Sequence, residues 1–155
     1  MTESIPSPEP ALIRGSCLCG AVEFQIQGEV TPIQFCHATR CRKATGGAAA
    51  PEMLASLNDL TWIKGLERRQ IYEAPLLDSP PAYHRAFCNK CGSPLPVEIP
   101  GTGFALLNPG ILDDDPGTRA FRHAFIDQQA TWHTISDELP TYPGQPPPPG
   151  NPEDD

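Results

Sequence analysis

Two cysteine pairs, Cys17-Leu18-Cys19-Gly20 and Cys88-Asn89-Lys90-Cys91-Gly92, constrain this chain more than any other feature of its sequence. In the second pair, two intervening residues let both sulfurs turn toward one ion, and the following glycine can take the positive φ of a tight knuckle. In the first pair, residues i and i+2 of an extended segment project from the same side. Four thiolates on two such turns can close a tetrahedron about 2.3 Å from a zinc ion. That arrangement keeps no open position, so its role is structural. It would clip the first strand to the middle of the chain, about seventy residues later, where loop-closure entropy otherwise opposes folding. Iron takes the same ligands, and buried reduced cysteines or a redox Cys-x-x-Cys are the competing readings. Against redox chemistry, no βαβ pattern flanks Cys88 and Cys91, and a second pair with its own glycine is surplus to a dithiol.

The first sixteen residues lack a basic region followed by an apolar core, so no secretory signal is expected and the cysteines are assigned to a reducing, cytoplasmic setting. No apolar run approaches the roughly 20 residues that span a bilayer. With 155 residues and Pro-dense ends, one folded unit is expected over 12–139, between tails at 1–11 and 140–155. Ten of the 20 prolines lie between Pro6 and Pro10 or between Pro140 and Pro152, which favours extended, solvated chain. The run Pro146 to Pro149 could serve as a polyproline ligand, although a plain tail is the simpler reading. A net charge of −8 argues against binding a phosphate backbone and hence against nucleic acid as a partner. The acid is uneven: no Asp or Glu lies between Glu29 and Glu52, while Arg40, Arg42 and Lys43 all do.

Between the tails, period-two alternation dominates. Val22, Phe24 and Ile26 alternate with Glu23, Gln25 and Gln27, the pattern of a strand with one wet face. Leu95, Val97 and Ile99 repeat it, as do Tyr83, Arg85 and Phe87, then Phe121, His123 and Phe125. Leu60 to Ile63 and Phe104 to Leu107 read as shorter, more buried strands. With Pro and Gly punctuation between them, these predict a mainly β fold of twisted antiparallel sheets with short helical turns around the four-cysteine site. One such turn is expected from about Arg40 to Gly46-Gly47.

The remaining cysteines fall in Cys36-His37-Ala38-Thr39-Arg40-Cys41-Arg42-Lys43-Ala44-Thr45-Gly46. The Gly-Ser-Cys-x-Cys-Gly opening, this Cys-His-x-x-x-Cys-Arg-Lys segment and the Cys-x-x-Cys-Gly-Ser-Pro knuckle together resemble the glutathione-dependent formaldehyde-activating family, whose domain is shared with centromere protein V. The resemblance runs from about Gly15 to about Trp132, with Gly110-Ile111-Leu112-Asp113 and Arg122-His123 as further marks. It implies a β-rich zinc fold, a structural zinc on Cys17, Cys19, Cys88 and Cys91, and a second zinc held by three cysteines. The activity it implies is a carbon–sulfur lyase step joining formaldehyde and glutathione reversibly as S-hydroxymethylglutathione.

At one place the chain departs from that pattern. Where the family's second site usually reads Cys-His-Cys-x-x-Cys, position 38 is Ala, and Cys36 and Cys41 are the only thiols there. A catalytic zinc ordinarily has three protein ligands and one open position, so two thiolates fall one short. His37 is the nearby candidate for the third ligand, with His84, His123 and His133 available if the fold brings them close, and a substrate thiolate could also complete the shell. Arg42 and Lys43 are the expected substrate-orienting cations for an anionic thiol such as glutathione, and with Arg40 they would lower the pKa of Cys36 and Cys41. A solvated turn that offsets thiolate charge is the alternative reading of these cations. His123 reads as a packed histidine. Three functions follow: a carbon–sulfur lyase with an altered second site, a catalytically silent zinc-stabilised binding module, and a scaffold recruiting partners through its Pro-rich tail.

Overall fold

The computed structural model describes residues 11–74 and 83–148. Strand β1 (Leu12–Ser16) and strand β2 (Glu23–Gln27) form an antiparallel hairpin with Leu12 opposite Gln27 and Ser16 opposite Glu23. As the alternation in β2 predicts, Val22, Phe24 and Ile26 are buried. Burying a Phe or Ile of this kind contributes about 1.5–3 kcal/mol each. Position 15 must be glycine because a Cβ there would lie 2.2 Å from the Phe24 ring. β5 (Leu60–Lys64) completes a three-stranded sheet in the order β1-β2-β5.

A five-stranded sheet runs β11-β3-β4-β10-β9, built from β3 (Ile33–Cys36), β4 (Ala50–Ser56), β9 (Val97–Ile99), β10 (Phe104–Leu107) and β11 (Ala120–Ala124). Its strands are antiparallel except for β11, which pairs with β3 in parallel. A third sheet holds β6 (Arg69–Glu73), β7 (His84–Cys88) and β8 (Pro94–Leu95). The mainly β, largely antiparallel expectation therefore holds. The one α-helix among the described residues, α1 (Thr39–Thr45), lies where it was expected, and it stops at Gly46, whose φ of 73° glycine adopts without strain.

Two apolar clusters carry most of the core. Ile13, Phe24, Ile26, Met53, Ala55 and Leu107 join the first sheet to the second. Val22, Leu95, Val97 and Ala86 pack with Cys17 and Cys88, so the four-cysteine region is continuous with the core. On the surface, Arg14 Nε and Nη2 donate to Asp114 at 2.8 and 2.9 Å, and Ser16 Oγ donates to Asp113 at 2.9 Å. These bonds tie β1 to the loop that follows Ile111.

Three expectations change. β5 is buried on one face only: Leu60 and Trp62 pack against the core, while Ile63, which strand alternation turns to the other face, is 51% exposed. In β7 the buried residues are Ala86 and Cys88 rather than Tyr83, Arg85 and Phe87, and Arg85 instead lies over the Phe87 ring on the opposite face. In β11, Arg122, His123 and Ala124 are all buried. The segment assigned to a solvated tail pairs along the edge of that strand. Thr141 bridges His123 in parallel, Tyr142 N donates to His123 O, and Pro140 O accepts from His123 N, both at 2.9 Å. Residues 1–10 and 149–155, where the rest of the expected tails lie, are outside the described residues. No helix among the described residues is long and apolar enough to cross a membrane.

Candidate functional site

The two turns that carry the first four cysteines are closed by the same backbone device. Gly20 N donates to Cys17 O and Gly92 N donates to Cys88 O, with φ of 76° and 79° at the two glycines. Amides then point at sulfur: Val22 N lies 3.3 Å from Cys17 Sγ, and Lys90 N lies 3.4 Å from Cys88 Sγ. All four Sγ atoms lie within 4.8 Å of one another, with Cys17 to Cys19 at 3.5 Å and Cys19 to Cys88 at 3.9 Å. A tetrahedron with 2.3 Å metal–sulfur bonds puts its sulfurs about 3.8 Å apart. The donor set thus fits a metal ion without rearrangement. Ser93 Oγ accepts from Leu18 N at 2.8 Å and from Cys91 Sγ at 3.3 Å. That hydroxyl, with the Ser93 amide, pulls the Cys91 thiol down to about 5.

The second group is assembled from β3, α1 and β4. Cys36 ends β3, Cys41 sits on α1, and Glu52 stands on β4 opposite Gln34. The ligand atoms of Cys36, Cys41 and Glu52 lie within 4.8 Å of one another, and Cys41 Sγ is 3.3 Å from Glu52 Oε1. Three acidic groups share this space. Cys41 is driven well above the usual thiol range by its contact with Cys36, by burial and by the Glu52 charge. Burial likewise raises the Glu52 carboxyl, offset in part by Gln34, Cys41 and Arg40. A cation among them removes that repulsion, which is how a metal ion and three such donors suit one another.

His37 does not join this group. Consecutive residues of an extended chain point to opposite sides, so with Cys36 facing Cys41, His37 faces away. Its Nε2 lies 2.8 Å from His123 Nδ1, and His123 Nε2 lies 3.0 Å from the Asp137 carboxylate. All three of these residues are outside the cysteine cluster, and His37 Nδ1 is buried with no partner among the described residues. Burial lowers the His37 pKa, and the neighbouring His123 lowers it further. His84 lies 3.5 Å from Glu73, and His133 packs edge-on against Trp132.

A cavity of about 1100 Å³ lies beside the second cluster, and Cys36, Cys41, Glu52, Arg40, Lys43 and Tyr83 are among its lining residues. Arg42 is not in that lining. Its Nε donates to Gln128 O at 3.1 Å and its Nη2 donates to Thr39 Oγ1 at 3.3 Å, which anchors α1 instead. Arg40 takes the place expected for Arg42. Its guanidinium lies 5.4 Å from the Tyr83 ring centroid and 5.9 Å from that of Phe125, and its Nε is buried with no hydrogen-bond partner among the described residues. Glu52 is the residue that sequence reasoning missed. Its only signal was its position as the first carboxylate after the acid-free basic stretch.

The family model described as glutathione-dependent formaldehyde-activating enzyme matches residues 12–128. A Halomonas elongata protein, provisionally named a glutathione-dependent formaldehyde-activating enzyme, is 37% identical over 130 residues, covering 80% of this chain and 81% of its own. A crystal structure of a Rhodobacter sphaeroides protein matches with a TM-score of 0.50 at 22% identity, covering 69% of this chain and 98% of that one, and supports the fold alone.

Proposed function

The chain belongs to the glutathione-dependent formaldehyde-activating enzyme family, and we propose that it is a carbon–sulfur lyase that makes and breaks adducts between a small anionic thiol, such as glutathione, and an aldehyde. The observation that carries this reading is that Cys36, Cys41 and Glu52 converge on the wall of a cavity that also presents Arg40 and Lys43. Cys36 and Cys41 would hold a zinc ion, whose Lewis acidity stabilises thiolate and alkoxide charge. The four-cysteine group would hold a second, structural ion.

The remaining work falls to the chain itself. Arg40 and Lys43 attract the carboxylates of the thiol substrate, and the planar Arg fork, stacked against Tyr83 and Phe125, orients them. Ala38 and Phe125 give the cavity an apolar wall beside the thiols. Burial raises the Tyr83 phenol, so it stays a hydrogen-bond donor at neutral pH. In the forward direction the thiol sulfur bonds to the carbonyl carbon, the C=O π pair moves to oxygen, and the thiol proton is transferred to that oxygen. The reverse direction splits the same bond.

The test is exchange spectroscopy on the zinc-loaded protein with glutathione and formaldehyde. Exchange faster than the uncatalysed rate, abolished in Cys41→Ser, is expected. Exchange at the uncatalysed rate with both metal sites filled would sink the proposal. Ala38 favours a second reading, a silent zinc-stabilised binding module. It requires about one metal per chain in the unmodified protein, so a measured value of two excludes it.

A further inference from the structure

We infer that Glu52 is the third protein ligand of the second metal site, replacing from a neighbouring strand the donor that position 38 lacks. The inference rests on the reading of the cavity given above. Ala38 is 3% exposed and packed with Cys36, Cys41 and Ala50, so the space a cysteine side chain would fill is occupied by a methyl group with nothing to donate. Across the β3–β4 ladder, Cys36 is opposite Ala50 and Gln34 is opposite Glu52. Residues two apart on a strand share a face. Gln34, Cys36, Ala50 and Glu52 therefore project to the same side, and the small Ala50 side chain leaves room for the Glu52 carboxylate to reach toward the thiols.

A chain of hydrogen bonds fixes which oxygen does so. Arg122 can only donate; its Nη1 gives a hydrogen bond to Pro147 O at 2.7 Å and its Nε gives one to Gln34 Oε1 at 3.0 Å. Gln34 must then present its amide nitrogen on the other side, and Nε2 donates to Glu52 Oε2 at 3.1 Å. With Oε2 engaged, Oε1 is the oxygen left 3.3 Å from Cys41 Sγ. Ligating carboxylates are typically oriented by such outer hydrogen bonds. Two thiolates and one carboxylate oxygen would make three donors beside the cavity and would leave an ion one position short of four, the pattern of a catalytic rather than a structural site. Mixed sulfur and oxygen donors suit zinc or cobalt and select against copper(I), which an all-thiolate site would welcome.

The experiment is cobalt(II) titration of the metal-free full-length protein, followed by optical spectroscopy and elemental analysis. Two ions per chain are expected. The first gives the charge-transfer intensity of four thiolates and the second about half as much. Glu52→Gln should weaken the second site by roughly 100-fold or more while the first-site spectrum, which reports folding, is unchanged. Ala38→Cys in the Glu52→Gln background should restore two ions and raise the second-site charge-transfer intensity by about half. Second-site affinity and spectrum unchanged in Glu52→Gln, or a single ion bound by the unmodified protein, would overturn the inference. If Glu52→Gln loses the first-site spectrum, Ala38→Cys alone decides, because a third thiolate displacing Glu52 must raise the second-site band and an unchanged band overturns the assignment. Thiol–formaldehyde exchange measured in parallel separates the two proposals. A second ion held through Glu52 with no exchange sinks the lyase reading alone, whereas exchange and second-site binding that both survive Glu52→Gln sink only the ligand assignment.

Discussion

The four-cysteine cluster lies near the surface, with Cys19 exposed and Cys91 half-buried, whereas Cys36 and Cys41 are buried and border a cavity. Solvent access and coordination access are thus opposed. Water reaches the edge of the first cluster, but four sulfurs leave a bound ion no vacant position. The second cluster is shielded from bulk solvent, yet it offers only three donors and a direction from which a small molecule can enter. The sulfurs of the first group are also held by backbone amides and glycine turns, while the carboxylate of the second depends on side chains from two other strands, Gln34 of β3 and Arg122 of β11, and on a backbone carbonyl of the C-terminal segment. On the function proposed above, one cluster would serve permanence and the other exchange.

The sharpest way to break this comparison is to delete one sulfur from each. Cys88→Ser should abolish cooperative thermal unfolding, because metal-linked folding energy is on the order of 10 kcal/mol and a whole domain is stable by only about 5–15 kcal/mol. Cys41→Ser should cost only about 1–2 kcal/mol of stability, checked by denaturant unfolding, while thiol–formaldehyde exchange falls by at least about 100-fold. Comparable destabilisation by the two variants would erase the distinction. Next in size, Gln34→Ala should weaken metal at the second site by roughly 10–100-fold, read by competition with a chelator, and leave the first site untouched. Arg40→Gln should raise KM for glutathione about tenfold, the equivalent of about 1.4 kcal/mol, with kcat kept and less sensitivity to salt.

The smallest expected effect concerns the surface tie at β1. Asp114 is held down at about 2, first by its hydrogen bond from the Arg14 side chain. A depressed carboxyl contributes stability above its ordinary pKa of about 4, and that contribution is lost as pH falls from there toward about 2. Thermal melts should therefore show a modest advantage of the unmodified protein over Asp114→Asn near pH 6 that disappears below about pH 2. A difference that persists in acid would mean the contact is not electrostatic.

How much of this was legible in the sequence follows from how local each feature is. Cys-x-Cys-Gly and Cys-x-x-Cys-Gly encode their own turns, so four ligands can be named without knowing what joins them. Gly46 likewise marks the end of α1. The second site is not local. Glu52 meets Cys36 and Cys41 only through the register of β3 on β4, which no spacing rule supplies, and adjacency in sequence made His37 attractive although strand alternation turns it away. The expected tail failed for a different reason. Proline lacks an N–H, which composition counts against ordered structure, but its carbonyl still accepts hydrogen bonds. Pro140, Pro143 and Pro147 accept from His123, Asp127 and Arg122 in that way.

The span between the two halves of the four-cysteine cluster also sets a schedule for the newborn chain. Cys19 and Cys88 are 69 positions apart. At ribosomal speeds of about 5–20 residues per second, the first two thiols are made roughly 3–14 s before their partners exist. Throughout that interval Cys17 and Cys19 can offer an ion only a two-toothed grip. Capture of an ion by all four thiols would therefore report that synthesis has passed Cys91, and a ribosome pausing between the two knuckles would lengthen the period in which the leading pair is open to oxidation.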